Sequence, residues 1–167
     1  DSFTIEGYRH SNGWARGQEV YFRTRFSVPI EEVTFENKRV ISNGYEKIVR
    51  GKALFKFKLN EERELVVVTA LSGTGLEGAA KNLAAEAPHN NFNLYRTKTR
   101  EDWNRRLSRI EVKGGSRDEQ VCFYTALYRT MLAPTLFCDV DGKYRGADKE
   151  NHTSNDCIWG RFRRKAQ

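Results

Sequence analysis

The chain has 167 residues, is 38% hydrophobic and 12% aromatic, and has a mean hydropathy of -0.73. These values describe a globular protein, too apolar for disorder and without a run long enough to span a membrane. The net charge of +7 would suit a nucleic-acid binder, but Arg161, Arg163, Arg164 and Lys165 cluster at the very end and the rest is spread thin, so no basic recognition face is encoded.

The first seventy residues read as strands, because apolar and polar side chains alternate with the period of two that a half-buried sheet imposes. Val20, Phe22, Thr24 and Phe26 belong to one face, and Tyr21, Arg23 and Arg25 to the other. Ala53, Phe55, Phe57 and Leu59 alternate with Lys56 and Lys58 in the same way. Residues 65–71 form a continuous β-branched run that predicts a strand covered on both faces. Residues 3–8 and 33–35 are weaker strands, and Ser11-Asn12-Gly13 and Ser42-Asn43-Gly44 are turn chemistry. An antiparallel sheet or sandwich is the expected product.

The pattern then changes. Leu76, Ala79, Ala80 and Leu83 fall at helical spacing, with Pro88 stopping the helix. Phe92, Tyr95, Thr99, Trp103, Leu107 and Ile110 predict a second, amphipathic helix that ends in an extended Ile110-Glu111-Val112. Ser116 and Glu119 fit a capping box opening a third helix over residues 117–132, striped by Val121, Thr125, Tyr128 and Leu132 and closed by Pro134. Two long helices leave an apolar face open, so a partner is expected to cover it.

Beyond them lies a loop dense in acids and glycines, Phe137-Cys138-Asp139-Val140-Asp141-Gly142-Lys143-Tyr144-Arg145-Gly146. Asp139, Asp141 and Asp148 are of the type that ligates a hard cation or works as acid and base. Equally, they are of the type that closes Asx turns, with Arg145 satisfying one of them. The spacing is not that of an EF-hand: the third ligand position and the twelfth hold Lys143 and Glu150 counted from Asp139, and Arg145 and His152 counted from Asp141. Ser72-Gly73-Thr74-Gly75 sits where a phosphate loop would, but lacks Gly-Lys-Ser/Thr and reads as helix capping. His10, His89 and His152 are scattered and read as surface or turn residues. Trp14 sits at a turn, where it either packs or stacks on a sugar ring. Cys122, Cys138 and Cys157 form no Cys-x-x-Cys pair and read as buried thiols.

Several blocks together resemble glycoside hydrolase family 92, the calcium-dependent exo-acting α-mannosidases of bacteria. They are Gly7-Tyr8-Arg9-His10-Ser11-Asn12-Gly13-Trp14-Ala15, Val20-Tyr21-Phe22, Leu76-Glu77-Gly78-Ala79-Ala80-Lys81-Asn82-Leu83, Trp103-Asn104, residues 123–134 and Asp139-Val140-Asp141-Gly142-Lys143-Tyr144-Arg145-Gly146. The resemblance covers residues 1–152. It implies an α+β chain, divided by segment: an antiparallel β-sandwich portion over residues 1–72, a helical linker over 73–115, and over 116–167 the start of a six-hairpin (α/α) barrel, truncated. It further implies an inverting hydrolase of terminal α-linked mannose that needs calcium and acts on a mannose-containing glycan, not on nucleic acid. A periplasmic or extracellular location follows from the same resemblance.

The catalytic carboxylates and metal ligands implied by the family lie beyond this chain, so the missing remainder of the catalytic domain is an expected partner and the chain alone is expected to be inactive. Asp139, Asp141, Tyr144, Arg145 and Asp148 are carried over as substrate-binding positions near the barrel mouth. The sequence departs from the family at Trp159-Gly160-Arg161, where a Trp-Asp-Thr motif is expected. One lost G in a TGG GGA reading would restore Trp-Asp. The start at Asp1 without Met fits an internal or processed piece. The rival reading is a non-catalytic carbohydrate-binding sandwich that uses Trp14.

Overall fold

The computed structural model describes residues 1–12, 17–42, 45–59, 61, 63–133, 135–154 and 158–159. Trp14, the Asn43-Gly44 turn, Pro134, Cys157 and the departure after Trp159 lie outside the described residues. In chain order the elements are β1 (Thr4–Ser11), β2 (Gln18–Phe26), β3 (Ile30–Ser42), β4 (Tyr45–Phe57), β5 (Val67–Ser72), α1 (Leu76–Glu86), α2 (Phe92–Leu107), α3 (Arg117–Thr130), β6 (Thr135–Leu136), β7 (Lys143–Arg145), β8 (Asn151–Thr153) and β9 (Ile158–Trp159).

The switch from strand to helix therefore falls where the hydrophobic period changes. Strands β1, β2 and β5 form one antiparallel sheet with β2 in the centre. Cross-strand partners share a face, so the register Tyr8↔Tyr21, His10↔Glu19 and Tyr21↔Ser72 assembles one face. Gly7↔Phe22, Thr24↔Thr69 and Phe26↔Val67 assemble the other.

Helix α1 covers part of the first face, burying Ala79 and Leu83 against β5 and β2. At its C-terminal end the Arg25 guanidinium donates to the Ala87 carbonyl at 2.7 Å and to Asn90 Oδ1 at 2.9 Å, satisfying a carbonyl the helix leaves free. On the second face Phe26 meets Phe57 and Phe55 of β4, with ring centroids 4.9 and 6.1 Å apart. The Thr24 and Thr69 hydroxyls pair there at 2.9 Å.

Three expectations need correction. The strand expected over residues 65–71 is not covered on both faces: Val67 and Leu71 are 51% and 59% exposed, because α1 packs on the opposite face. The β3–β4 hairpin is much longer than residues 33–35 and 53–59, each strand running thirteen residues. A register shift between Lys38 and Arg39 breaks the period of two there, which hides the strands from a pattern search. Cys122 is exposed and Cys138 half-buried, since α3 has nothing packed over that flank among the described residues.

The capping box is present as expected: Ser116 Oγ accepts from the Glu119 amide at 3.3 Å, and Glu119 Oε2 accepts from the Ser116 amide at 2.7 Å. Helices α2 and α3 meet through Trp103 and Tyr128, whose rings stand edge to face at 4.6 Å. The Tyr124 hydroxyl donates to the Ile110 carbonyl and latches the connecting segment. Neither helix contains a buried residue, and Val121 and Leu132 remain open as the stripe predicts.

One polar knot locks α1 to the acidic loop. Ser72 Oγ and Thr74 Oγ1 donate to Asp139 Oδ2 at 2.7 and 2.5 Å, and Asn82 Nδ2 donates to Asp139 Oδ1 at 2.8 Å. Asn82 also donates to the Leu71 carbonyl, and its own oxygen accepts the Val140 amide. The carboxylate lies against Gly78 in the first turn of α1, where an added Cβ would come within 2.3 Å of Asp139 Oδ2 and 2.4 Å of Ser72 Oγ.

Gly78→Ala is therefore expected to expel the carboxylate and destabilise the chain by about 2–4 kcal/mol, read from urea denaturation. Leu83→Ala, in the same helix but removing no hydrogen bond of the knot, is expected to cost roughly 2–3 kcal/mol by cavity formation. A Gly78→Ala variant as stable as wild type would show that the knot is not a fixed contact.

Candidate functional site

The acidic loop leaves α3 through β6, turns at 139–142 and returns through the β7–β8 hairpin. The turn is set by Gly142, whose φ of 78° few other residues adopt, and by the Gly142 amide donating to the Asp139 carbonyl at 2.9 Å. Gly146 holds the hairpin end, since a Cβ there would fall 2.4 Å from Asp148 Oδ1 and 2.8 Å from the His152 ring.

The five positions carried over from the resemblance separate into different settings. Asp139 is 7% exposed and both its oxygens accept side-chain donors from this chain, so it holds the loop in place. Asp141 faces α1: Oδ2 accepts from Lys81 at 3.2 Å, with Lys143 Nζ at 3.7 Å, while Oδ1 closes an Asx turn with the Lys143 amide.

Tyr144 and Asp148 come together through His152. The imidazole Nε2 lies 2.8 Å from Asp148 Oδ2 and its ring centroid 5.7 Å from that of Tyr144. Asp148 Oδ1 closes a second Asx turn with the Glu150 amide. Arg145 departs from the expectation that it satisfies one of the aspartates. Its Nη2 pairs instead with Glu19 Oε2 of β2 at 3.5 Å, and Glu19 also accepts from the Tyr21 hydroxyl at 3.0 Å and approaches His10 Nδ1 at 3.5 Å.

The Ser72-Gly73-Thr74-Gly75 loop does not cap α1 as expected: the N-cap is Gly75, which has no side chain to accept, and the Ser72 hydroxyl instead accepts from the Thr74 and Gly75 amides of the preceding turn. Sequence reading missed Glu19, Lys81, Asn82 and His152 as members of these clusters. Only the strand register signals the first of them, because it sets Glu19 opposite His10.

The electrostatics follow from these partners. Burial raises the Asp141 carboxyl, but the Lys81 hydrogen bond, the Lys143 amide and both ammonium charges together hold it below its ordinary range. The Glu150 amide and then His152 lower Asp148 in the same sense. The Tyr21 hydroxyl is the largest cause of a lowered Glu19, and Glu19 in turn raises Tyr21. Lys81 is raised by Glu77 and then by Asp141.

Calcium takes six to eight oxygen ligands. Among the described residues no three His, Cys, Asp or Glu side chains converge on one point; Asp141 and Asp148 already face cationic or imidazole side chains and backbone amides, and Asp139 is held by hydroxyls and the Asn82 amide. The described residues do not fit a calcium ion. Among them, also, no helix is long and apolar enough to cross a membrane.

A lowered folded-state value means that Asp141 adds stability above the ordinary aspartate range and loses it as pH falls through the lowered value. Melting temperature measured against pH is expected to decline on that acid side, and Asp141→Asn is expected to flatten part of the decline. Identical acid-side profiles would remove the Lys81 pairing from the account.

The model described as the glycosyl hydrolase family 92 catalytic domain matches residues 78–167, more than half of the chain. The family GH92 α-mannosidase BT3965 of Bacteroides thetaiotaomicron superposes with a TM-score of 0.80 at 27% identity, covering 95% of this chain and 22% of its own. It has also been solved in complex with mannoimidazole. The family GH92 inverting mannosidase BT2199 of the same organism superposes with a TM-score of 0.74 at 28% identity over 92% of this chain and 22% of its own. No curated protein matches. The chain thus spans about a fifth of the length of the solved relatives, whose β portion followed by helices has the order of elements described above. On the match over residues 78–167, the chain belongs to glycosyl hydrolase family 92.

Proposed function

We propose that the chain is part of an inverting, exo-acting α-mannosidase that releases terminal α-linked mannose from glycans in the periplasm or outside the cell. The observation that carries this is the family match over residues 78–167, supported by likeness over 95% of the chain to a solved α-mannosidase. Inversion is supported by the description of the second relative as an inverting mannosidase.

Such a reaction needs one carboxylic acid to protonate the leaving oxygen and one carboxylate to activate water on the opposite face, roughly 6.5–9.5 Å away. In this proposal both carboxyls, and the oxygen ligands of a calcium ion, come from the enzyme outside residues 1–167. The chain contributes a wall of the sugar pocket. Asp141, Tyr144, Arg145 and Asp148 are half-buried or exposed around the β7–β8 hairpin and present charged and hydroxyl groups that suit a polyol. Asp139 supports that wall from below through its bonds to Ser72, Thr74 and Asn82.

The test has two arms. In the intact enzyme, Arg145→Ala is expected to lower kcat/KM on an α-linked mannobioside roughly 10- to 100-fold, the equivalent of one charge-assisted hydrogen bond. NMR of the first-formed product is expected to show the β-anomer. An α-anomer would overturn inversion, and unchanged turnover would remove Arg145 from the pocket wall. The 167-residue chain is expected to show no turnover, and mannose release by it would overturn the placement of both carboxyls elsewhere.

A further inference from the structure

Helix α1 covers only part of one face of the β1–β2–β5 sheet. The remainder of that face carries Tyr8 and His10 from β1 beside Glu19 and Tyr21 from β2, set there by the register Tyr8↔Tyr21 and His10↔Glu19. Strand β7 brings Arg145 over the same end. Tyr8 is 65% exposed, with its ring 5.9 Å from that of Tyr21. Glu19 is approached by three donors, the Tyr21 hydroxyl, Arg145 and His10, which fix its carboxylate in one orientation.

A half-buried ion pair at 3.5 Å, with both side chains still partly in water, adds little to stability. A carboxylate held by several donors beside an uncovered aromatic ring is, by contrast, what a polyol needs: a flat surface for the C–H face of the ring and preset polar groups for its hydroxyls. Diagonal neighbours on an antiparallel pair lie roughly 7–8 Å apart, a span one hexose ring bridges. A carboxylate has about four lone-pair sites and a guanidinium five N–H donors, so both groups keep capacity for a ligand after their mutual contact. Together they offer a sugar hydroxyl both an acceptor and a donor.

We propose that Tyr8, His10, Glu19, Tyr21 and Arg145 form a pyranoside-binding subsite, in which a hexose of the glycan stacks on Tyr8 and hydrogen-bonds to Glu19 and Arg145. The choice of a sugar as ligand rests on the α-mannosidase reading. The subsite lies on the sheet side of the β7 strand, whereas Tyr144, Asp148 and His152 form their own cluster on the hairpin. Arg145 is shared by the two, so the subsite adjoins the pocket wall, and Tyr8, His10, Glu19 and Tyr21 contact a sugar unit next to the one that Tyr144 and Asp148 face.

The probe is methyl α-D-mannopyranoside, titrated into the 167-residue chain and followed by ligand-detected NMR. Saturable binding is expected. Tyr8→Ala weakens it roughly three- to tenfold, while Tyr8→Phe, which keeps the ring, stays within about twofold. Glu19→Gln weakens it about tenfold by releasing Arg145. Phe35→Ala, an exposed aromatic on the other hairpin, leaves it unchanged and serves as the control.

Absence of saturable binding by wild type overturns the subsite, as does an unchanged affinity in Tyr8→Ala and Glu19→Gln or an equal loss in Phe35→Ala. Should Tyr8→Ala fail to fold, Glu19→Gln decides alone. Hydrolysis by the intact enzyme is read separately. Its failure would remove the mannosidase reading without touching a measured binding constant, and failure of binding by the chain would leave hydrolysis standing.

Discussion

The architecture depends on one buried carboxylate. Asp139 gathers hydroxyls from the end of β5 and from the turn before α1 and an amide from the middle of α1, so that a strand, a helix and a loop about sixty residues further along the chain are fixed to one group. A buried anion without partners would be too costly to keep, and a set of buried donors without an acceptor equally so. The knot therefore forms as a whole or not at all. Gly78 is part of it although it makes no bond, because only hydrogen fits between the helix and the carboxylate. The second anchor, Arg145 to Glu19, ties the far end of the same loop to the sheet.

Apolar packing around this knot is modest. Phe26, Ala79 and Leu83 are the buried apolar side chains among the described residues, while Leu71, Phe35, Leu54 and Val121 stay exposed. Helices α2 and α3 enclose a cleft of about 580 Å³ lined by Leu107, Val121, Tyr124 and Tyr128. The solved relatives are over four times as long, of which this chain covers 22%. A core of this size explains why polar bonds carry so much of the tertiary definition, for directional contacts locate elements that few apolar contacts could hold.

The acidic loop illustrates how one sequence motif divides into separate functions. Its first aspartate faces inward and sets position, its second pairs with α1, and its later residues form the Tyr144, His152 and Asp148 cluster on one side and the Arg145 contact on the other. The Asx turns at Asp141 and Asp148 fix the backbone between these groups. Charged groups arranged this way are preorganised, since each is held by a neighbour that does not depend on ligand.

The sequence alone determined the elements governed by local chemistry. The period of two in β2, the helical spacing of Leu76, Ala79 and Leu83, and the Ser116–Glu119 box all involve residues within a few positions of each other, and all three match the structure. Its motif order also sufficed to place the chain in its family. The length of the β3–β4 hairpin escaped it because a register shift breaks the alternation that a reader counts. The exposed side of β5, the inward turn of Asp139 and the pairing of Arg145 with Glu19 were decided only by tertiary structure. In each case the deciding partner lies tens of residues away, and which of several equivalent donors reaches a carboxylate depends on strand register and helix placement, neither of which local periodicity contains.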